Sequence, residues 1–149
     1  MINKCLFPVA GYGTRFLPAT KSMPKEMLPV VNKPLVQYGV EEAFEAGLDE
    51  ICFVTCRGKR SIEDHFDLNY ELEHQIAGTG KEKYLESIQR VMDSASFSFT
   101  RQREMKGLGH AILTGRRLVG DQAFGVILSD DLCMPPEAGV GVMAQMVKL

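Results

Sequence analysis

Three short, nearly unbroken apolar runs constrain this chain more than any other feature. They are KCLFPV (Lys4 to Val9), EICFVT (Glu50 to Thr55) and FGVIL (Phe124 to Leu128). Runs this short suit strands covered on both faces, as in a parallel sheet. Segments of helical period lie between them. Leu35 to Ala46 puts Val36, Val40, Ala43 and Phe44 on one face, with Pro34 at its start and Gly47 as its stop residue. Ser61 to Phe66 reads as a helix start capped by Ser61, with Asp64 near the positive end of the dipole. Lys81 to Ala95 carries Tyr84, Leu85, Ile88, Val91 and Met92 on one stripe. FSFTR (Phe97 to Arg101) alternates as a strand does, and Gly109 to Val119 reads as a helix. Gly139 to Leu149 begins another, with Val142, Met146 and Leu149 on one face. Asn69 to Gly80 receives no assignment. This alternation of strand and helix predicts an α/β sandwich with a largely parallel sheet.

Composition narrows the functions such a sandwich can have. The 149 residues make about one domain, and a hydrophobic fraction of 45% fills a core. A net charge of −2 argues against a general nucleic-acid binder. No apolar run reaches membrane-spanning length, and MINKCLFPVA is broken too soon by Gly and Arg to be a signal peptide. A cytoplasmic location is the expectation. Cys5, Cys52, Cys56 and Cys133 lack both the C-x-x-C spacing and a histidine at ligand spacing, so reduced, mostly buried thiols are expected. His65 and His74 read as surface residues, and Arg57, Lys59 and Arg60 as a solvated loop.

Three loops fall after strands, where open α/β sheets bind ligands. In the first, residues 10–24, Gly11 and Gly13 let backbone N–H groups approach an anion, Arg15 can fork onto phosphate oxygens and Lys25 adds a point charge. The Gly-x-Gly alone reads equally as a turn beside two solvated cations; it is neither a Walker A sequence nor a dinucleotide fingerprint. The second loop, QREMKGLGHA, offers Gln102 to a base edge and Gly107 and Gly109 for close backbone approach, or it simply turns the chain into a helix. His110 reads either as an acid or base, or as a helix-start residue with a structural hydrogen bond. The third, VILSDDL, sets Asp130 and Asp131 after a buried strand. One of the two can anchor Mg²⁺ through a carboxylate, because adjacent extended side chains point opposite ways; alternatively both form a turn.

Together, PVAGYGTRFLPATKSMPKEMLPVVNKPLVQYGVEEA, GLGHAI and ILSDDL resemble the sugar nucleotidyltransferases, and the Pro-Lys-Glu-Met-Leu-Pro string is similar to their uridylyl-transferring branch. The resemblance implies a Rossmann-like, mostly parallel sheet flanked by helices, of nucleotidyltransferase type. It implies transfer of a uridylyl group from UTP to glucose 1-phosphate with Mg²⁺, giving UDP-glucose and pyrophosphate. Ala10, Gly11, Gly13 and Thr14 would contact the nucleotide through their backbone. Arg15 and Lys25 would be the catalytic cations on the phosphates and the departing pyrophosphate. Glu26 would hold the nucleotide or orient the loop. Gln102 and Gly107 match the base-reading positions, and Asp130 the metal carboxylate, with Asp131 facing away or toward the sugar.

Members of that family are longer, and no helix stop signal follows Leu149. Residues 1–149 are therefore expected to be the nucleotide-binding N-terminal part of a truncated domain, weak or inactive alone. Self-association is common in the family, so a homo-oligomer is an expectation for the full-length protein. Three alternatives remain: a non-catalytic nucleotide-binding regulator, a nucleotidyltransferase for another sugar or base, and an unrelated phosphate-binding α/β module, for which the long opening string would be coincidence.

Overall fold

A computed structural model describes residues 2–133, 135 and 139–149. Among the described residues, four parallel strands form one sheet in the order β5-β4-β1-β6, with β1 at Lys4–Pro8, β4 at Glu50–Thr55, β5 at Ser96–Arg101 and β6 at Gly125–Val126. A two-stranded antiparallel hairpin, β2 (Pro29–Val30) and β3 (Lys33–Pro34), precedes the first long helix. The chain winds from β1 outward through β4 to β5, then returns to place β6 on the other side of β1. The strand order therefore reverses between β1 and β6, and a crevice opens at their carboxyl ends.

The apolar runs divide between two faces as the pleat requires. Cys5, Phe7, Ile51 and Phe53 point toward helices α1 (Leu35–Glu45), α2 (Arg60–His65), α4 (Glu86–Ser94) and α6 (Val142–Val147). Leu6, Cys52 and Val54 point toward α5 (Leu108–Val119). Phe53 is fully buried and lies 5.2 Å from both the Phe7 and Phe99 rings. Each buried Phe contributes about 1.5–3 kcal/mol. α5 sits so close to the sheet that a Cβ at Gly115 would be 2.6 Å from Leu6 Cδ1.

Several sequence expectations change in detail. α2 begins at Arg60 with Lys59 as its cap, and Ser61 lies inside the helix with a buried hydroxyl that has no partner. Lys59 at this cap is itself buried, as described below. The unassigned stretch contains α3 (Tyr70–Ile76), capped by Asn69 on the Leu72 N–H. The helix expected over residues 81–95 is two pieces, a 3-10 turn at Glu82–Tyr84 and then α4. The tighter turn rotates Tyr84 off the apolar stripe and leaves it exposed. In α6 the buried residue is Met143, while Val142, Met146 and Leu149 are exposed. The Glu42 carboxylate accepts the Met143 N–H at 2.9 Å and fixes that rotation.

His65 is half-buried rather than a surface residue. Its Nε2 lies 3.0 Å from Gln37 Oε1, and burial lowers its pKa against a smaller opposing pull from Glu41. His74 is exposed. Cys5, Cys52 and Cys56 are buried free thiols, and Cys133 is exposed. No helix among the described residues is long and apolar enough to cross a membrane.

Candidate functional site

The crevice between β1 and β6 is a cavity of about 410 Å³. Ala10, Gly11, Arg15, Lys25, Gln102, Gly107 and Asp130 all line it, so residues from all three sequence loops meet there. Tyr12, Met105, Leu108, Ala111 and Leu128 supply apolar wall. A neighbouring cavity of about 560 Å³ shares Tyr12, Gln102 and Met105 and adds Arg57, Arg101 and Arg103.

The opening loop is ordered by local hydrogen bonds. Val9 donates to Val54 O at 3.0 Å, extending the β1–β4 ladder, and Cys56 Sγ donates to Ala10 O at 3.0 Å. Burial raises the Cys56 pKa, so this thiol is a donor and not a nucleophile. The chain then makes 3-10 turns at Thr14–Phe16, Ala19–Lys21 and Lys25–Met27. Thr20 Oγ1 donates to Gly13 O at 2.7 Å and ties the first turn to the second. Gly13 has φ 66° and a Cβ there would come within 3.0 Å of Lys25 Cβ. Only glycine meets both conditions.

The two cations converge on one carboxylate. Lys25 Nζ is 2.6 Å from Asp130 Oδ1, and Arg15 Nη2 is 3.4 Å from Asp130 Oδ2. Burial pulls the Asp130 pKa up, but the Lys25 hydrogen bond and charge, its own backbone N–H and Arg15 together hold it below the ordinary carboxylate range. Asp130 is thus an anion at neutral pH. Asp131 is exposed, and its N–H closes a turn onto Leu128 O at 3.0 Å. The pair both forms a turn and directs one carboxylate inward.

Gln102 is 4% exposed and is held on several sides. Its N–H bonds Thr55 O at 2.8 Å, and its Nε2 lies 3.3 Å from Gly107 O and 2.8 Å from His110 Nδ1. With Nε2 donating, Oε1 is left as an acceptor, and His110 takes the structural role. A fixed amide oxygen of this kind suits a ring N–H.

Three expected site residues do not line the cavity. Gly13 packs behind Lys25, Thr14 opens the first 3-10 turn, and Glu26 is 1% exposed. Glu26 Oε2 instead receives Lys59 Nζ at 2.6 Å, and Lys59 is itself 5% exposed. Lys59 was expected in a solvated loop and is the residue that sequence reasoning missed. Its sequence neighbours Arg57 and Arg60 are exposed, so nothing local distinguishes it.

The nucleotidyl transferase family matches residues 8–146. The chain is 71% identical over 149 residues to a UTP–glucose-1-phosphate uridylyltransferase of Pseudomonas aeruginosa, covering 100% of this chain and 53% of that protein. It superposes on the crystal structure of an apo UDP-glucose pyrophosphorylase with a TM-score of 0.95 and 59% identity, covering 99% of this chain and 54% of the other. For a UDP-glucose pyrophosphorylase complexed with UDP-glucose the TM-score is 0.89 at 55% identity, with 99% and 53% covered. The chain spans about half the length of the curated relatives it matches.

Proposed function

The chain belongs to the nucleotidyl transferase family, and we propose that it carries the UTP- and metal-binding half of an enzyme that transfers a uridylyl group to glucose 1-phosphate. The observation that carries this reading is one cavity lined by a fixed amide, Gln102, and by an ion cluster, Arg15, Lys25 and Asp130. The first suits a pyrimidine edge and the second a metal-bound polyphosphate. The 71% identical relative is named for the same reaction.

In that reaction a phosphate oxygen of glucose 1-phosphate attacks the α-phosphorus of UTP. The bond to the bridging oxygen breaks and pyrophosphate leaves. The nucleophile is already ionised at neutral pH, so the chief task is to offset charge repulsion. Arg15 and Lys25 do this when the triphosphate draws them from Asp130. The Gly11 backbone, open to the cavity, lets the nucleotide approach closely. Gln102 Oε1 accepts from the ring N3–H and fixes the base, which aligns the α-phosphorus for in-line attack.

Nucleotidyl transferases generally use a divalent metal, and the residues here fit Mg²⁺. Asp130 is an ionised, hard oxygen donor at the cavity wall. That donor matches Mg²⁺, which takes one or two carboxylates and draws its remaining ligands from phosphate and water. Asp130 would hold it, and when bound it would neutralise charge on the phosphates.

Base selectivity tests the reading. Cytosine N3 is an acceptor and would face the Gln102 oxygen, a mismatch worth about 1–3 kcal/mol. Calorimetry should show UTP preferred over CTP, with the preference erased by Gln102→Ala. Equal affinities in the wild-type chain would overturn the assignment of Gln102 to the base.

A further inference from the structure

We propose that Lys59 is a positioning residue for Lys25: it neutralises Glu26 from behind and so leaves Lys25 directed at Asp130 and the incoming phosphates. This rests on the nucleotide reading of the cavity. The geometry behind it is a path of alternating charge. Lys59 Nζ lies 2.6 Å from Glu26 Oε2, Glu26 Oε1 lies 4.0 Å from Lys25 Nζ, and Lys25 Nζ lies 2.6 Å from Asp130 Oδ1. Arg15, 83% exposed at its side chain, ends the path at the rim. Lys59 and Glu26 begin it in the interior, on segments 33 residues apart in sequence.

Glu26 is the immediate neighbour of Lys25 and competes for it with Asp130. Its Oε1 is buried and makes no hydrogen bond. An ammonium swinging toward that oxygen would gain a charge-assisted bond in surroundings that exclude water, where such bonds are strong. Lys59 lowers that incentive by holding the same carboxylate on its other oxygen. The turn between Pro24 and Leu28 cannot do this alone: its backbone bonds, Met27 N to Pro24 O and Leu28 N to Lys25 O, fix the main chain and leave the Lys25 side chain free to turn. A buried ion pair is in general a poor source of net stability, since desolvation offsets most of its attraction. Its value here lies in where it leaves Lys25.

The experiment is calorimetric titration of UTP and of uridine into the wild-type chain, Lys59→Met and the double variant Lys59→Met/Glu26→Gln, with circular dichroism to establish folding. Losing Lys59 alone frees Glu26 to capture Lys25. UTP affinity should then fall roughly tenfold, about 1.4 kcal/mol. Uridine affinity should be unchanged, because Gln102 is untouched. The double variant should recover wild-type UTP affinity, since an amide competes weakly for an ammonium. If Lys59→Met does not fold, Lys59→Gln, which removes the charge but keeps a donor to Glu26, is read in its place. Weakened UTP binding in the single variant with recovery in the folded double variant supports the proposal, and a double variant that stays weakened overturns it. Unchanged UTP binding in folded Lys59→Met, or an equal loss for UTP and uridine, also overturns it and leaves Lys59 a purely structural residue. Absence of UTP binding in the wild-type chain would overturn the nucleotide reading itself.

Discussion

Replacing Gly13 with Ala separates two things that this glycine does. At φ 66° an added Cβ strains the backbone, and it also meets Lys25 Cβ at 3.0 Å and Thr20 Cγ2 at 3.2 Å. The backbone term costs about 1–2 kcal/mol. The contact term falls on Lys25 Cβ, which is anchored to the main chain and cannot rotate away, so the 3-10 turn at Lys25–Met27 must shift by a few tenths of an ångström. Lys25 would then be displaced from its place in the cavity wall, where it meets the phosphates. A hydrogen bond to a charged group is worth about 1.5–3 kcal/mol, so its partial loss should weaken UTP binding by about tenfold. Gly47→Ala provides the control. Gly47 has φ 84° at the end of α1, with nothing within 4 Å of an added Cβ. It should show the backbone term alone. Both variants should lower Tm by about 2–8 °C, scaling from about 2–4 °C per kcal/mol for a chain of this size. Only Gly13→Ala should weaken UTP in calorimetry. Equal UTP affinities in the two variants would refute the claim that Gly13 sets the place of Lys25.

Two further predictions concern stability. His65 has a folded pKa below its ordinary 6.5, chiefly through burial. The unfolded chain therefore takes up the proton first as pH falls. The stabilising contribution is full above about pH 6.5 and is lost as pH drops through the lower folded value. Urea midpoints should decline between pH 7 and pH 5, and His65→Gln should flatten that decline. Val31 adopts φ 61° while 94% exposed in the turn of the β2–β3 hairpin. Val31→Gly should raise stability by about 1 kcal/mol, read as a higher urea midpoint, because a β-branched residue strains there.

The parts of this molecule written in local pattern were legible in the sequence. The continuous runs around Phe7 and Phe53 announced strands covered on both faces, and both faces are covered. Asp130 faces the cavity and Asp131 the solvent, but a turn closed on Leu128 O separates them, not the extended alternation expected. The loops after β1 and β5 were marked by their glycines and the loop after β6 by its paired aspartates, and topology brought them to one cavity. What escaped was set by partners far along the chain. The rotation of α6 follows from a Glu42 carboxylate 101 residues away, and the buried Lys59 is paired with Glu26, 33 residues away. Nothing in CRGKRSIED signals that partner. Of the two roles expected for Glu26, its pairing with Lys59 suits the one that orients the loop.

The most direct measurement is calorimetric titration of UTP with Mg²⁺ into the chain and into Lys25→Ala, both verified as folded. The account predicts saturable one-to-one binding by the wild-type chain and a loss of at least about tenfold in Lys25→Ala, the scale of one charge-assisted phosphate contact. A folded wild-type chain that does not bind UTP, or a Lys25→Ala variant that binds it equally well, would contradict it.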